Sequence, residues 1–126
     1  MAHRYLPGHD TFFATDAAVG PYSAIFEDDA TVAYFYAVLR REPLNEILDA
    51  IHIYNVEAVV DRDRESELEM VWTDDGLKVT LFINGNSHAM FDFAGRRGHH
   101  RPNFRGNTDP EWTTHTWDAD PSGSAE

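Results

Sequence analysis

The chain has no cysteine, no long apolar run and few basic residues, and each shortage excludes a class of protein. Without cysteine it has no disulfide framework, no thiolate metal site and no cysteine nucleophile. No apolar run approaches the roughly 20 residues that a membrane-spanning helix needs. The first residues also lack the apolar segment of a signal peptide. We therefore expect a cytoplasmic protein that does not enter a membrane.

The few basic residues leave the chain strongly acidic. Lysine and arginine together number 10, against 22 aspartates and glutamates, which gives a formal net charge of −12. Such a field repels polyanions, so the sequence predicts no binding to nucleic acid or to an anionic membrane. The charge is also uneven. Residues 94–106 hold four arginines, two histidines and no acid, a formal +4, so the remainder carries −16.

The composition is that of a folded domain, because hydrophobic residues make up 42% of the chain and aromatic residues 13%. A chain of 126 residues is long enough for one domain with its own core. We assign residues 11–117 to a single antiparallel β domain. Residues 1–10, which show no hydrophobic period, are expected to form a flexible arm. Residues 118–126 are expected to form a disordered tail.

The clearest structural signal is residues 69–93, where Asp75-Gly76 and Asn84-Gly85 separate three apolar runs. Both dipeptides favour two-residue type I′ turns, which need positive φ at both positions. The stretch therefore predicts a three-stranded antiparallel meander. A three-residue loop at either turn would instead move the side chains of the strand beyond it to the other face.

Two-residue loops also determine which side chains share a face of this meander. Leu81 then lies opposite His88, and the predicted core face includes His88, Met90 and, at its end, Asp92. The other face carries an apolar group that is too large to leave bare in a monomer. This group consists of Phe82, Phe91 and Phe93.

The chain before the meander also favours strands. Residues 22–26 and 31–39 predict a hairpin, and apolar residues at both parities of 31–39 predict a central strand covered on both faces. Pro43 and the spacing of the apolar residues after it predict one to two helical turns over residues 43–50. The alternative is a strand that continues straight through this region. We expect a mainly β (α+β) fold, a single antiparallel meander sheet of about six to seven strands with one short helix.

Several short segments carry a resemblance to a known family. They are Phe26-Glu27-Asp28-Asp29, Tyr34-Phe35-Tyr36, the run 47–56, Asp75-Gly76-Leu77, Ile83-Asn84-Gly85 and the run 88–93. Together these segments resemble a family of small bacterial proteins, domain of unknown function 2251, over roughly residues 20–105. The resemblance implies a compact bacterial domain. It assigns no chemistry, so it contributes no site residues.

Four polar residues are candidates for a ligand site: His52, Tyr54, His88 and Asp92. Residues 51–60 predict a strand, on which His52 and Tyr54 share a face. With His88 from another strand they could line a site for a small ligand or a divalent metal. Alternatively, each histidine is a separately hydrogen-bonded structural side chain. His88 and Asp92 are about 13 Å apart at the rise of a strand, so they do not form a dyad.

The basic segment 94–106 is glycine-rich and predicts a long loop that leaves the last strand of the meander. Its arginines could bind phosphate, and His99 or His100 could add acid–base chemistry. The acidic field favours another interpretation, in which the loop neutralises acidic surface in its own subunit or in a second copy. Asp92 is its nearest expected partner, through a salt bridge to Arg96, Arg97 or Arg101.

Two acidic clusters have some of the features of metal sites. Asp61-x-Asp63-x-Glu65 begins like a calcium loop, but Ser66 stands where that loop needs glycine and Trp72 where it needs a bidentate glutamate. Glu27-Asp28-Asp29 fits a hairpin turn better than a ligand set, although adjacent carboxylates can hold Ca²⁺ or Mg²⁺ weakly. The sequence therefore predicts neither a metal site nor a cofactor.

These features favour a non-catalytic protein-binding module, immunity-like or regulatory in role. The predicted interaction surface combines the phenylalanines with the basic loop: Phe82, Phe91, Phe93, Arg96, Arg97 and Arg101. Its partner is another protein or a second copy of the chain, as in a homodimer that covers the phenylalanines. The alternative function is a small-ligand-binding or enzymatic domain with a polar site near His52, Tyr54 and His88. No residue spacing supports a reaction class, so an enzyme is not favoured.

Overall fold

The computed structural model describes residues 2–41, 43–60, 62–100 and 113–117. These residues form ten strands and, among the elements described, a single 3-10 turn at Val56–Ala58. The strands are β1 (Ala2–Tyr5), β2 (Thr11–Asp16), β3 (Tyr22–Asp28), β4 (Val32–Leu39), β5 (Glu46–Asn55), β6 (Ser66–Trp72), β7 (Lys78–Ile83), β8 (Asn86–Asp92), β9 (Arg97–His100) and β10 (Thr113–Thr116).

The strands form two antiparallel sheets. One is six-stranded with the order β1-β6-β7-β8-β9-β10, and the other is four-stranded with the order β2-β3-β4-β5. The prediction of a mainly β, antiparallel fold is confirmed, but the prediction of a single sheet is wrong. Strands β2 to β5 follow one another as a meander in the four-stranded sheet, and β6 to β10 do the same in the six-stranded sheet. β1 pairs with β6 at the edge of the six-stranded sheet, although the sequence predicts a flexible arm there.

The two sheets share one hydrophobic core between them. Phe35 of the four-stranded sheet stacks on Phe91 of the six-stranded sheet, with ring centroids 4.8 Å apart, and both side chains are fully buried. A polar contact adds to this packing, because the indole N–H of Trp72 donates to the Thr15 hydroxyl at 2.9 Å. Each sheet therefore buries the inner face of the other.

Residues 43–50 do not form the predicted helix. β5 runs through this region and pairs with β4 along its whole length, from Glu46 opposite Leu39 to Asn55 opposite Val32. Leu44 and Ile47, which supplied half of the helical spacing, are 79% and 60% exposed and face no core. The backbone groups offered by β4 outweigh a weak local propensity, so the alternative interpretation of a continuous strand is the correct one.

The two predicted turns of the 69–93 meander differ in detail. The register across the first is confirmed, with Trp72 opposite Val79. Only Gly76 has positive φ there, at 73°, so the predicted type I′ geometry does not form at Asp75-Gly76. At the second turn Asn84 and Gly85 have φ of 53° and 83°, as a type I′ turn requires.

A β-bulge just after the second turn changes the third strand of this meander. Beyond the turn, Leu81 pairs with Ala89 instead of His88, so His88 is the extra residue in β8. A bulge adds one residue to one strand, and every side chain beyond it then points to the opposite face. His88 itself is buried, as predicted, and the predicted alternation of β8 is wrong from Ala89 onward.

This change of face reverses the predicted roles of four side chains. Phe91 and Phe93 are 0% and 4% exposed and lie in the core between the sheets. They are not part of an outer patch. Met90 and Asp92, predicted to face the core, are on the outer side. Phe82 precedes the bulge and alone keeps its predicted outer position, where it is half-buried.

Part of the segment predicted to be a basic loop is a strand. Arg97–His100 form β9, which pairs with β8 on one side and with β10 on the other. Arg101 and the rest of the predicted loop lie outside the described residues, as does the predicted tail 118–126.

Ala30 in the β3–β4 turn offers a test of this backbone. Its φ is +78°, where an L-residue is strained by about 1–2 kcal/mol and glycine is not. We expect Ala30→Gly to stabilise the protein by about 0.5–1 kcal/mol, after the greater chain entropy of unfolded glycine is subtracted. Urea unfolding followed by circular dichroism measures this change. Ala14→Gly, an exposed position within β2, should instead destabilise by about 0.5–1 kcal/mol. Equal effects of the two substitutions would contradict the turn geometry.

Candidate functional site

The outer face of the four-stranded sheet is an exposed apolar surface, which we call the tyrosine face. Its side chains form two cross-strand rows that follow from the register of β2 to β5. The first row is Phe12, Glu27, Tyr34 and His52, and the second is Ala14, Ile25, Tyr36 and Ala50. All eight side chains are exposed or half-exposed, and Phe12 reaches 65%.

The aromatic side chains of this face hold one another in place. The rings of Tyr34 and Tyr36 stack at 5.9 Å, and the edge of His52 meets Tyr34 at 5.7 Å. Partial burial, followed by the charge of Glu27, raises the pKa of the Tyr36 hydroxyl. The hydroxyl therefore stays a neutral hydrogen-bond donor and acceptor at physiological pH. The face is an ordered aromatic surface with few formal charges.

The outer face of the six-stranded sheet is different in character. It presents charged side chains of both signs at exposed positions, among them Glu67, Glu69, Lys78 and Arg97. Val71, Phe82 and Met90 lie among them; Val71 is 47% exposed and the other two are half-buried. Charged side chains therefore interrupt the apolar residues on this side, unlike those of the tyrosine face.

A buried carboxylate forms the first of two polar clusters. Asp28, at the end of β3, is 1% exposed and accepts three hydrogen bonds. Its donors are the Tyr54 hydroxyl at 2.7 Å and the backbone N–H groups of Gly8 and Ala30, each at 2.8 Å. Tyr54 in turn hydrogen-bonds the Tyr5 hydroxyl at 2.8 Å. Since Tyr5 belongs to β1 and Tyr54 to β5, this network joins the two sheets.

Burial is the main cause that raises the pKa of both hydroxyls in this network, at Tyr5 and at Tyr54. The charge of Asp28 raises both values further. Both tyrosines therefore remain protonated donors, and each buried oxygen has a partner. This arrangement is that of a structural connection between the sheets.

The second polar cluster also spans the two sheets. Asp49 of β5 hydrogen-bonds His115 of β10 at 2.5 Å. Gly98 of β9 makes room for this contact, because a Cβ there would lie 2.6 Å from the His115 ring and 2.9 Å from the Asp49 carboxylate. The His100 ring lies 6.3 Å from that of His115, and its buried Nδ1 has no hydrogen-bond partner among the residues described.

Burial, followed by the neighbouring His115, lowers the pKa of His100, so its ring is neutral at physiological pH. Burial likewise lowers the pKa of His99 on the other side of β9. Across the described ranges, no group of three histidine, aspartate or glutamate side chains is arranged to hold a metal ion. What this cluster provides is a polar contact that attaches β10 to β5.

The structure does not bring together the four residues predicted to line a ligand site. Tyr54 is buried in the Asp28 network, whereas His52 is exposed on the tyrosine face and hydrogen-bonds Asn55 at 2.9 Å. A register shift in β5 separates the two, because Tyr34 pairs with His52 while Ala33 pairs with Tyr54.

The other two predicted residues are on the six-stranded sheet. His88 is buried at the bulge of β8, and the Asp92 carboxylate accepts the backbone N–H of Gly95 at 3.0 Å. Arg97 pairs across from Asp92 on β9. Among the described residues, neither Arg96 nor Arg97 forms an ion pair with Asp92, and Arg101 lies outside them.

Sequence reasoning missed the residues that organise the observed sites. Tyr5 lies in the predicted arm, and His115 and Asp49 are 66 positions apart in sequence. The tyrosine face did leave a signal, because apolar residues fill both parities of β4. The structure confirms that β4 is central in its sheet, but the six-stranded sheet covers only its inner face.

The fold and sites define a class, a two-sheet antiparallel β domain with an apolar outer face. The chain belongs to the family described as an uncharacterized protein conserved in bacteria (DUF2251), whose sequence profile matches residues 5–122. This match confirms the resemblance drawn from the sequence. Among the described residues, no helix is long and apolar enough to cross a membrane.

One relative with a curated sequence is an uncharacterized protein of Haemophilus influenzae. It is 37% identical over 92 residues, which cover 68% of this chain and 57% of the relative. The chain thus spans just over half of that protein's length. No solved structure matches the chain.

The Asp28 network predicts the effect of removing one hydroxyl. Tyr54→Phe removes one of the three hydrogen-bond donors to Asp28 and the hydroxyl that pairs with the buried Tyr5 hydroxyl, so we expect a loss of about 1–3 kcal/mol in the free energy of unfolding. Tyr34→Phe deletes the same atom on the exposed face and should change stability by less than about 0.5 kcal/mol. Both values come from urea unfolding. Equal losses in the two variants would show that the network contributes nothing specific.

His100 predicts how stability depends on pH. Burial lowers the pKa of the folded His100 below the ordinary value of histidine, so acidification protonates the unfolded chain first and favours unfolding. Stability should therefore fall between about pH 7.5 and 5.5. His100→Gln should reduce this slope by up to about 1.4 kcal/mol per pH unit. His9→Gln, at an exposed position, is the matched control and should leave the slope unchanged. An unaltered slope in His100→Gln would refute the assignment.

Proposed function

We propose that this domain is a non-catalytic protein-binding module that uses the tyrosine face to hold another protein. The observation that carries the proposal is the two-sided apolar pattern of β4. A strand with apolar residues at both parities is typical of a strand buried on both faces. Here Phe35 faces the core while Tyr34 and Tyr36 are left on the outside. A protein partner would supply the second cover.

The chemistry of the face supports this proposal. Protein interfaces are enriched in tyrosine and phenylalanine at their centre and depleted in charge. The two rows contain three such aromatic residues, and their only acidic residue is Glu27. Aromatic side chains that already pack against each other also lose little conformational freedom on binding.

The charge of the protein indicates what kind of partner fits. The chain carries a net −12, and Glu27 lies within the face itself. A partner with an apolar centre and basic side chains around it would neutralise this field. A second copy would instead bring two Glu27 carboxylates and two acidic bodies together. We therefore assign the face to a basic protein, and the role is immunity-like neutralisation or regulation of that partner.

This surface differs from the one that the sequence favours. Phe91 and Phe93 lie in the core between the sheets, and Arg97 of β9 belongs to the other sheet. Among the described residues of that predicted surface, Phe82 and Arg97 lie on the outer face of the six-stranded sheet. Phe82 therefore serves as a matched control, since it is a half-buried aromatic residue at the centre of the opposite outer face.

Site-specific photo-crosslinking in the bacterium that encodes the protein tests the proposal. A photoreactive phenylalanine analogue at position 12 should give one dominant adduct with a basic protein, and the same analogue at position 82 should not. Binding of the purified partner should weaken with salt because the attraction is partly electrostatic. Tyr36→Ala should cost about 2 kcal/mol or more in binding, and Phe82→Ala should cost little.

Three outcomes would count against this function. Equal crosslinking at positions 12 and 82 would mean that the tyrosine face is not a specific surface. An adduct between two copies of the chain would replace the basic partner with a homodimer. A partner whose affinity is unaffected by Tyr36→Ala would be bound elsewhere on the molecule.

A further inference from the structure

A cleft opens at one end of the core, where strand ends of both sheets meet. Its volume is about 390 Å³, within the roughly 300–1,000 Å³ of small-molecule sites. One wall is aromatic. Tyr22 stacks on Phe93 with ring centroids 4.2 Å apart, and Trp117 meets Phe93 edge-on at 6.0 Å. Phe93 is buried beneath this contact and also stacks on Trp72 at 5.8 Å, so the part of the lining that a planar apolar group can reach is Tyr22, with Leu39 and Leu48 beside it.

The opening of the cleft is positively charged, although the protein is acidic. Arg41 and Arg96 both line it, and Glu46 is the one acidic residue beside them. Glu46 holds Arg41 at 2.7 Å and thereby orients its guanidinium group. Arg96 forms no ion pair with any described residue. The pair of guanidinium groups is suited to a carboxylate, which arginine binds through two parallel hydrogen bonds.

Arg96 is held in place at a conformational cost. Its φ is +56°, in the left-handed region that glycine adopts freely and a long side chain does not. Two hydrogen bonds fix the backbone around it. The backbone N–H of Trp117 donates to the Arg96 carbonyl at 3.0 Å, and the backbone N–H of Gly95 donates to the Asp92 carboxylate at 3.0 Å. An arginine at a position that favours glycine indicates that its side chain has a use.

We propose that this cleft binds a small aromatic carboxylate. The ring packs against Tyr22, Leu39 and Leu48, and the carboxylate pairs with Arg96 and Arg41 at the opening. The site lies between the sheets at their ends, whereas the tyrosine face lies on the outside of one sheet. The two proposals therefore rest on different residues and stand or fall separately.

The test uses 2-naphthoate as the probe and 2-naphthamide, which has the same ring without the charge, as its comparator. Titration of the full-length protein is followed by ¹H–¹⁵N NMR. We expect 2-naphthoate to bind with a Kd below about 2 mM and to shift the Trp117 indole N–H resonance. We expect 2-naphthamide to bind at least about tenfold more weakly, because it lacks the charge-assisted hydrogen bonds.

Arg96→Gly separates binding from folding, since glycine relieves the strain and removes the guanidinium group. We expect its thermal midpoint to equal or exceed that of the wild type and its affinity for 2-naphthoate to fall about tenfold or more. Arg97→Ala removes the same charge from the neighbouring residue, which lies on the outer face, and should bind as the wild type does. Arg96→Gln gives the same comparison if the glycine variant unfolds.

Three results would overturn the proposal. These are a Kd for 2-naphthoate above about 2 mM, equal affinity for 2-naphthamide, and equal losses in the Arg96 and Arg97 variants. Binding that leaves the Trp117 indole resonance unchanged would also overturn it, because the probe would then lie outside the cleft.

Discussion

The one-residue bulge at His88 determines how the two sheets can pack. Because side chains alternate along a strand, a single inserted residue turns the rest of β8 over. Phe91 then stacks on Phe35 across the core, and Phe93 joins the aromatic wall of the cleft. Without the bulge, Met90 and Asp92 would face the four-stranded sheet, and a carboxylate would enter an apolar interior. The shared core and the cleft at its end therefore depend on this local irregularity.

A second constraint is that polar groups joining the two sheets must be fully paired. Asp28 is among the least exposed side chains of the protein, and burying a carboxylate is costly unless its oxygens are hydrogen-bonded. Its partners come from the β1–β2 connection, the β3–β4 turn and β5, which are distant in sequence. The carboxylate thus selects one arrangement of these segments. The Asp49–His115 pair likewise fixes two distant segments, because it attaches β10, at the other edge of the six-stranded sheet from β1, to β5.

The sequence was sufficient for the features that depend on local chemistry. Asn84-Gly85 predicted its turn correctly, the first hairpin has the predicted register, and the strand-rich composition indicated an antiparallel β fold. The features that failed depend on distant parts of the chain. A β-bulge has no reliable local signal in the sequence. The side-chain faces of β8 beyond His88 were therefore predicted wrongly, and so was the shared face of His52 and Tyr54 in β5, which a separate register shift divides. Residues 43–50 have a helical spacing that β4 overrides. The polar clusters join residues such as Tyr5 and Tyr54, whose proximity only the packing of the sheets establishes.

The acidic charge and the apolar tyrosine face are best understood together. An exposed aromatic sheet surface promotes self-association, because any apolar surface can cover it. A net charge of −12 opposes that outcome, since two copies repel each other before their faces meet. The same field attracts a basic protein and favours its approach. Apolar contact would then supply affinity, and charge would determine which partner reaches the face. Under the proposed function, this combination would let the protein keep an uncovered central strand such as β4 and select one partner.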